Sequence, residues 1–84
     1  MGRDYEQVRR AVARNIKHLR GKRGLSQEAL ALDANVDRTY VSQIERAAGN
    51  PSLLVLCKLV AILETDVLDL LIGEEREERM QGES

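Results

Sequence analysis

Apolar residues in the first quarter of the chain fall at Val8, Val12, Ile16 and Leu19, spaced by four and three, with Ala11 beside them. A set spaced this way shares one face only at a helical period, so it predicts an amphipathic helix over about residues 4–23. Gly24 is the natural stop, and the Lys and Arg residues of the last two turns suit the negative end of a helix dipole. Ser26 then opens a short second helix, about residues 27–33, as its N-cap, with Leu25 and Leu30 placed to form a hydrophobic staple. Asn35 follows, a residue that tolerates the left-handed turn. Asp37 caps a third helix, about 38–47, whose apolar positions are few: Val41, Ile44 and Tyr40.

Gly49-Asn50-Pro51 breaks the chain, and Ser52 caps a fourth helix over about 53–63 that is apolar nearly all round. One of its faces, Leu53, Leu56, Cys57, Val60 and Leu63, is expected to meet the core, with Cys57 as a buried thiol. Thr65-Asp66 restarts a short fifth helix, about 67–72, which adds Val67, Leu68, Leu71 and Ile72. The pattern therefore predicts one all-α, five-helix domain over 1–72. The acidic run 73–84 has no apolar face and is expected to be a frayed or disordered tail.

Composition narrows the classes. A chain of 84 residues buries only about 60% of its unfolded surface, so it gains from a partner. One Cys and one His exclude an intrachain disulfide and an all-Cys/His zinc site, and a reducing cytoplasm is expected. Charges interrupt every apolar run, so neither a signal peptide nor a membrane span is expected. There is no nucleophile–base pair, no paired carboxylate geometry and no phosphate-cradling glycine loop, so no enzyme, metal or cofactor is expected. His18 lies off the apolar stripe and reads as a surface residue. The formal charge is −1, yet residues 1–46 carry a net +4 and residues 47–84 a net −5. The basic half is a candidate for phosphate contact.

Two short helices joined by a tight turn, the second polar outward, describe a helix-turn-helix. Counting Gln27 as the first of twenty positions, the small residue Ala31 falls fifth and the turn-former Asn35 ninth. Leu30, Ala34, Val36, Val41 and Ile44 take the fourth, eighth, tenth, fifteenth and eighteenth places. A small fifth residue lets the helices cross closely, and the apolar set locks their angle.

The segments Arg20-Gly-Lys-Arg-Gly-Leu-Ser-Gln-Glu-Ala-Leu-Ala, Val36-Asp-Arg-Thr-Tyr-Val-Ser-Gln-Ile-Glu-Arg and Asn50-Pro-Ser-Leu resemble the xenobiotic-response-element family, the Cro and phage-repressor type of helix-turn-helix. The resemblance covers about residues 8–71. The run Arg38-Thr-Tyr-Val-Ser-Gln also looks like the controller proteins of restriction–modification systems. The resemblance implies a lambda-repressor-like domain whose third helix enters the major groove of double-stranded DNA. It places Arg38, Thr39 and Gln43 at base edges, and Gln27, Tyr40, Ser42 and Asn50 at the sugar–phosphate backbone. It also puts Arg20 beside Glu45 as a structural ion pair. The chain departs from the family in carrying Ala47 where Gly is usual, in Gly49 coming late, and in a 47–49 loop without a basic residue.

These implications add up to a transcriptional regulator acting on a palindromic operator. The surplus of apolar residues on the last two helices points to a homodimer through Leu54, Val55, Leu68 and Ile72. Two other readings keep the fold: an antitoxin-like protein whose partner is a protein toxin, and an adaptor that meets the transcription machinery, RNA polymerase included.

Overall fold

The computed structural model describes residues 2–72. They form five helices and no strand: α1 (Tyr5–Lys22), α2 (Gln27–Ala34), α3 (Arg38–Glu45), α4 (Leu53–Leu63) and α5 (67–72). The expected tail, 73–84, lies outside the described residues.

Each helix begins on a side chain that takes up a free backbone N–H of its first turn. Asp4 forms a full capping box: its carboxylate accepts from Gln7 N at 2.8 Å, while Gln7 Oε1 accepts from Asp4 N at 2.9 Å. Ser26 accepts from Ala29 N, Asp37 from Thr39 N, Ser52 from Val55 N and Asp66 from Leu68 N. The backbone N–H and the hydroxyl of Thr39 hold the Asp37 carboxyl below its usual range.

The first four helices share one ending as well. A residue in the left-handed region closes each, at Gly24 (φ 67°), Asn35 (φ 57°), Ala47 (φ 54°) and Glu64 (φ 56°). The next N–H returns to a carbonyl of the last turn: Leu25 to Arg20, Val36 to Ala31, Ala48 to Gln43 and Thr65 to Val60. This is the Schellman closure, and it satisfies carbonyls the helix leaves open. It also corrects the expected end of the third helix. The helix stops at Glu45 rather than about 47, because Ala47 has already turned left-handed.

The core joins Val12 and Ile16 of α1, Leu30, Ala31 and Ala34 of α2, Val41 and Ile44 of α3, four residues of α4 and Leu70. α2 packs against α3 and α4, and α1 against α3. The inward residues of α4 are Leu56, Leu59, Val60 and Leu63. Here the structure overturns the expected face: Cys57 is exposed and Leu53 is 72% exposed. A helix that is apolar all round carries no periodic contrast to mark its inner side, and the packed face is turned so that Leu59 stands where Cys57 was expected.

α5 is corrected in the same way. Leu70, absent from the expected apolar set, is wholly buried; Leu68, expected at an exposed face, is 50% exposed. The phase of α5 is held by Asn15, a buried polar residue of α1. Its amide donates to the Leu70 carbonyl at 2.7 Å and lies 3.4 Å from that of Asp69. Arg3 donates to the Leu71 carbonyl, and the Thr65 hydroxyl to Asp69 at 2.9 Å.

Ala47 holds a conformation that costs an L-residue about 1–2 kcal/mol, and glycine escapes that cost at a smaller loss of chain entropy. Ala47→Gly is therefore expected to raise stability by about 0.5–1 kcal/mol, an upward shift of roughly 3–6 °C in the thermal midpoint followed by helical circular dichroism.

Candidate nucleic-acid interface

α3 is a two-sided helix. Val41 is fully buried and Ile44 nearly so, which fixes one side against the core. On the other side Arg38, Thr39 and Tyr40 are exposed, with Ser42 and Gln43 half-buried at its edge. The helix starts on a left-handed turn at Asn35, so its angle to α2 is set by backbone geometry as well as by packing.

A charged hydrogen-bond cluster ties the far end of α3 to the rest. Glu45 accepts from Arg20 Nε at 2.6 Å and from Arg20 Nη2 at 2.8 Å, a two-pronged pairing. Gln27 Nε2 donates to the same carboxylate at 3.1 Å, and Arg20 Nη1 donates to the Leu25 carbonyl at 2.9 Å. Last turn of α1, first turn of α2 and last turn of α3 thus meet on one carboxylate. Burial alone would push the Glu45 carboxyl up. Hydrogen bonds from Arg20 and Gln27, with the charges of Arg20 and Lys17, outweigh it and hold the carboxyl below its usual value of 4.5. The same hydrogen bond raises the pKa of Arg20.

Of the residues expected at the sugar–phosphate backbone, Gln27 is turned toward Glu45, leaving its second amide N–H and the first backbone N–H groups of α2 as donors. The carbonyl of Ser42 accepts from Arg46 Nε at 3.3 Å. Asn50 lies on the loop after α3, where its Oδ1 is 3.2 Å from the Tyr5 hydroxyl. Gln43 leans on that loop too: a Cβ built on Gly49 would stand 3.2 Å from Gln43 Oε1. Gln43 and the loop therefore adjoin.

Three residues on or beside this region escaped the sequence reading. Arg46 is exposed where α3 ends. Tyr5 and Arg9 of α1 reach the loop across 44 and 40 residues of sequence. Tyr5 and Arg9 are four apart and so share a helix face, the only signal the sequence offered. Among the described residues no group of His, Cys, Asp or Glu is arranged to hold a metal, and no helix is long and apolar enough to cross a membrane.

The helix-turn-helix family HTH_3 matches residues 16–70. A hypothetical transcription factor of Neisseria meningitidis is 38% identical over 69 residues, 82% of this chain and 65% of that protein. A crystal structure of the Neisseria factor superposes with a TM-score of 0.82 at 37% identity, covering 92% of this chain and 88% of that one. The restriction–modification controller protein C.AhdI of Aeromonas hydrophila gives a TM-score of 0.70 at 35% identity over 74% of this chain and 94% of that one. SinR, a master regulator for biofilm formation, was crystallised in complex with DNA; that structure gives 0.68 at 39% identity over 71% of this chain and 97% of that one. The chain spans less than two thirds of some curated relatives, as little as 42%.

The two partners of the central ion pair are not equally buried: the Glu45 side chain is 4% exposed and that of Arg20 17%. Arg20→Ala strands a buried carboxylate and is expected to cost about 3–5 kcal/mol, whereas Glu45→Ala leaves a guanidinium that water can reach and is expected to cost less. Because the Glu45 carboxyl is lowered by folding, its contribution is present above its unfolded pKa and lost as pH falls through the folded one. Denaturant unfolding from neutral pH to about pH 3 should show parent stability falling through the carboxylate range and a shallower fall in Glu45→Gln.

A buried fork between helix ends, a left-handed turn and an outward polar helix thus coincide with a family match over most of the fold: the chain belongs to the HTH_3 family, the Cro and phage-repressor type of helix-turn-helix transcriptional regulator.

Proposed function

We propose that this chain reads a palindromic operator in double-stranded DNA as a homodimer, with α3 of each copy in the major groove, and so regulates transcription. The observation that carries this reading is the polar outer face of α3, held rigidly by Val41, Ile44 and the Arg20–Glu45 fork. Arg38, Thr39 and Gln43 lie where base edges would be met, Arg suited to guanine and Gln to adenine. Gln27, Tyr40, Ser42 and Asn50 surround them as donors for phosphate and sugar. The likeness to SinR crystallised with DNA supports the docking, and the likeness to a controller protein supports a regulatory role. These relatives favour DNA over a protein toxin as the primary partner.

The second copy is argued from the apolar surface. Leu54 is 65% exposed and Leu68 50%; Leu53 and Cys57 are exposed as well, and Val55 and Ile72 are half-buried. Exposed apolar surface of this kind marks an interface, and two identical surfaces close through a two-fold axis. That axis would set two α3 helices one turn of DNA apart, about 34 Å.

Selection of bound sites from a random DNA pool should return a dyad-symmetric sequence with half-sites near that spacing. Arg38→Ala is expected to lose roughly 1–3 kcal/mol on the selected site and to relax one base position in each half-site. A site preference identical to the parent's would remove Arg38 from the reading face. In sedimentation at micromolar concentration the parent should run as a dimer, and the pair Leu54→Asp and Leu68→Asp should run as folded monomer; a double variant still dimeric would place the interface elsewhere.

A further inference from the structure

The loop that follows α3 is held to α1 by polar contacts beside a cavity. Val8, Val12, Ile44, Ala48, Pro51 and Leu56, with Tyr5, Arg9 and Asn50, line an open and largely apolar space of about 100 Å³. The Tyr5 hydroxyl stands 3.2 Å from Asn50 Oδ1 and 3.4 Å from the Gly49 carbonyl; with one proton it donates to one of them at a time. Arg9 Nη1 donates to the same Gly49 carbonyl at 3.3 Å. Arg9 is itself oriented twice, by Glu6 at 2.8 Å and by the Tyr5 ring, whose centroid lies 5.3 Å below the guanidinium. Its Nε is buried without a hydrogen-bond partner, a cost the side chain bears to reach the loop.

We propose that Tyr5 and Arg9 are positioning residues of the DNA interface: from α1 they fix the Gly49–Asn50 loop, and through it the Asn50 amide and the side chain of Gln43. This rests on the DNA-reading function proposed above and adds to it two residues outside the helix-turn-helix. The chemistry is directional. A hydroxyl donating to Asn50 Oδ1 turns the amide nitrogen, a donor, away from Tyr5 and toward a phosphate. Gly49, at φ 73°, carries no Cβ, so the loop closes against Gln43 and limits where that amide can point. The 47–49 segment has no basic side chain of its own to be drawn to phosphate, and beyond the Schellman closure at Ala47 and Ala48 its polar contacts come from α1.

Tyr5→Phe keeps the ring under Arg9 and removes only the hydroxyl; Arg9→Gln removes the guanidinium. Each is to be measured on the selected operator across a salt series, alone and in an Asn50→Ala background, with circular dichroism confirming a parental fold. The expected result is a roughly three- to tenfold loss of operator affinity for each single variant, with the salt slope unchanged and a clearly smaller loss once Asn50 is gone, when only the effect through Gln43 is left. An equal loss in the Asn50→Ala background, no loss at all, or a slope shallower by about one for Arg9→Gln would overturn the proposal, the last because Arg9 would then touch phosphate itself. The side-chain amide signals of Asn50 and Gln43 in the DNA-free protein give a readout independent of binding. Tyr5→Phe should shift both, and unmoved signals would overturn the clamp. Absence of sequence preference in the parent would instead defeat the DNA-reading function, while the amide signals still judged the clamp.

Discussion

The placement of α3 depends on one carboxylate. An eight-residue helix is not stable alone, and α3 has only two side chains buried in the core, Val41 and Ile44. Two apolar contacts hold such a helix down but leave it free to roll and tilt. The Arg20–Glu45 fork adds direction, because a guanidinium and a carboxylate pair with both prongs in only a narrow range of orientations. Gln27 joins the same carboxylate, and Arg20 also grips the link before α2 through the Leu25 carbonyl. Three helix ends are thus locked at one point, and the outward side of α3 inherits that rigidity. The desolvation cost of burying Glu45 is offset by three donors, and the depressed carboxyl pKa expresses the balance.

The remainder of the fold follows from making short helices definite. A side-chain oxygen at the start and a left-handed residue at the end bound most of the helices, so the chain turns sharply and spends few residues in loops. Among the described residues α4, apolar nearly all round, is covered on one face only. That face is consumed by the core, while Leu53, Leu54 and Cys57 stay exposed, as does Leu68 of α5. The surface that a small domain fails to bury and the surface that a second copy would need are, on this account, the same surface.

Charge follows the same division of labour. The total is close to neutral, but the positive excess lies in the half of the chain that holds α1, α2 and α3, and the negative excess in the half that holds α4, α5 and the acidic end.

How far this was legible from sequence differs from element to element. Helix existence, caps and the helix-turn-helix could all be read, because they are local: Ser26, Asp37 and Ser52 cap whatever helix follows them, and the spacing from Leu30 to Ile44 is a property of adjacent residues. The sign of the charge in each half and the polar outer side of α3 were equally local. Periodic contrast ran out at α4 and α5. Where nearly every residue is apolar, nothing in the order of side chains says that Leu59 and Leu70 go inward while Leu53 and Cys57 stay out; packing of α4 against α2 and the hydrogen bond from Asn15 to α5 decide it. The end of α3 was invisible for a related reason, since Ala47 is a good helix former that the loop forces into a left-handed turn. Tyr5 and Arg9 lie furthest from view. Their partners, Gly49 and Asn50, are brought to them only when α1 packs against α3 and the chain turns back after Ala47, so their roles are set by tertiary proximity and by nothing written beside them in the chain.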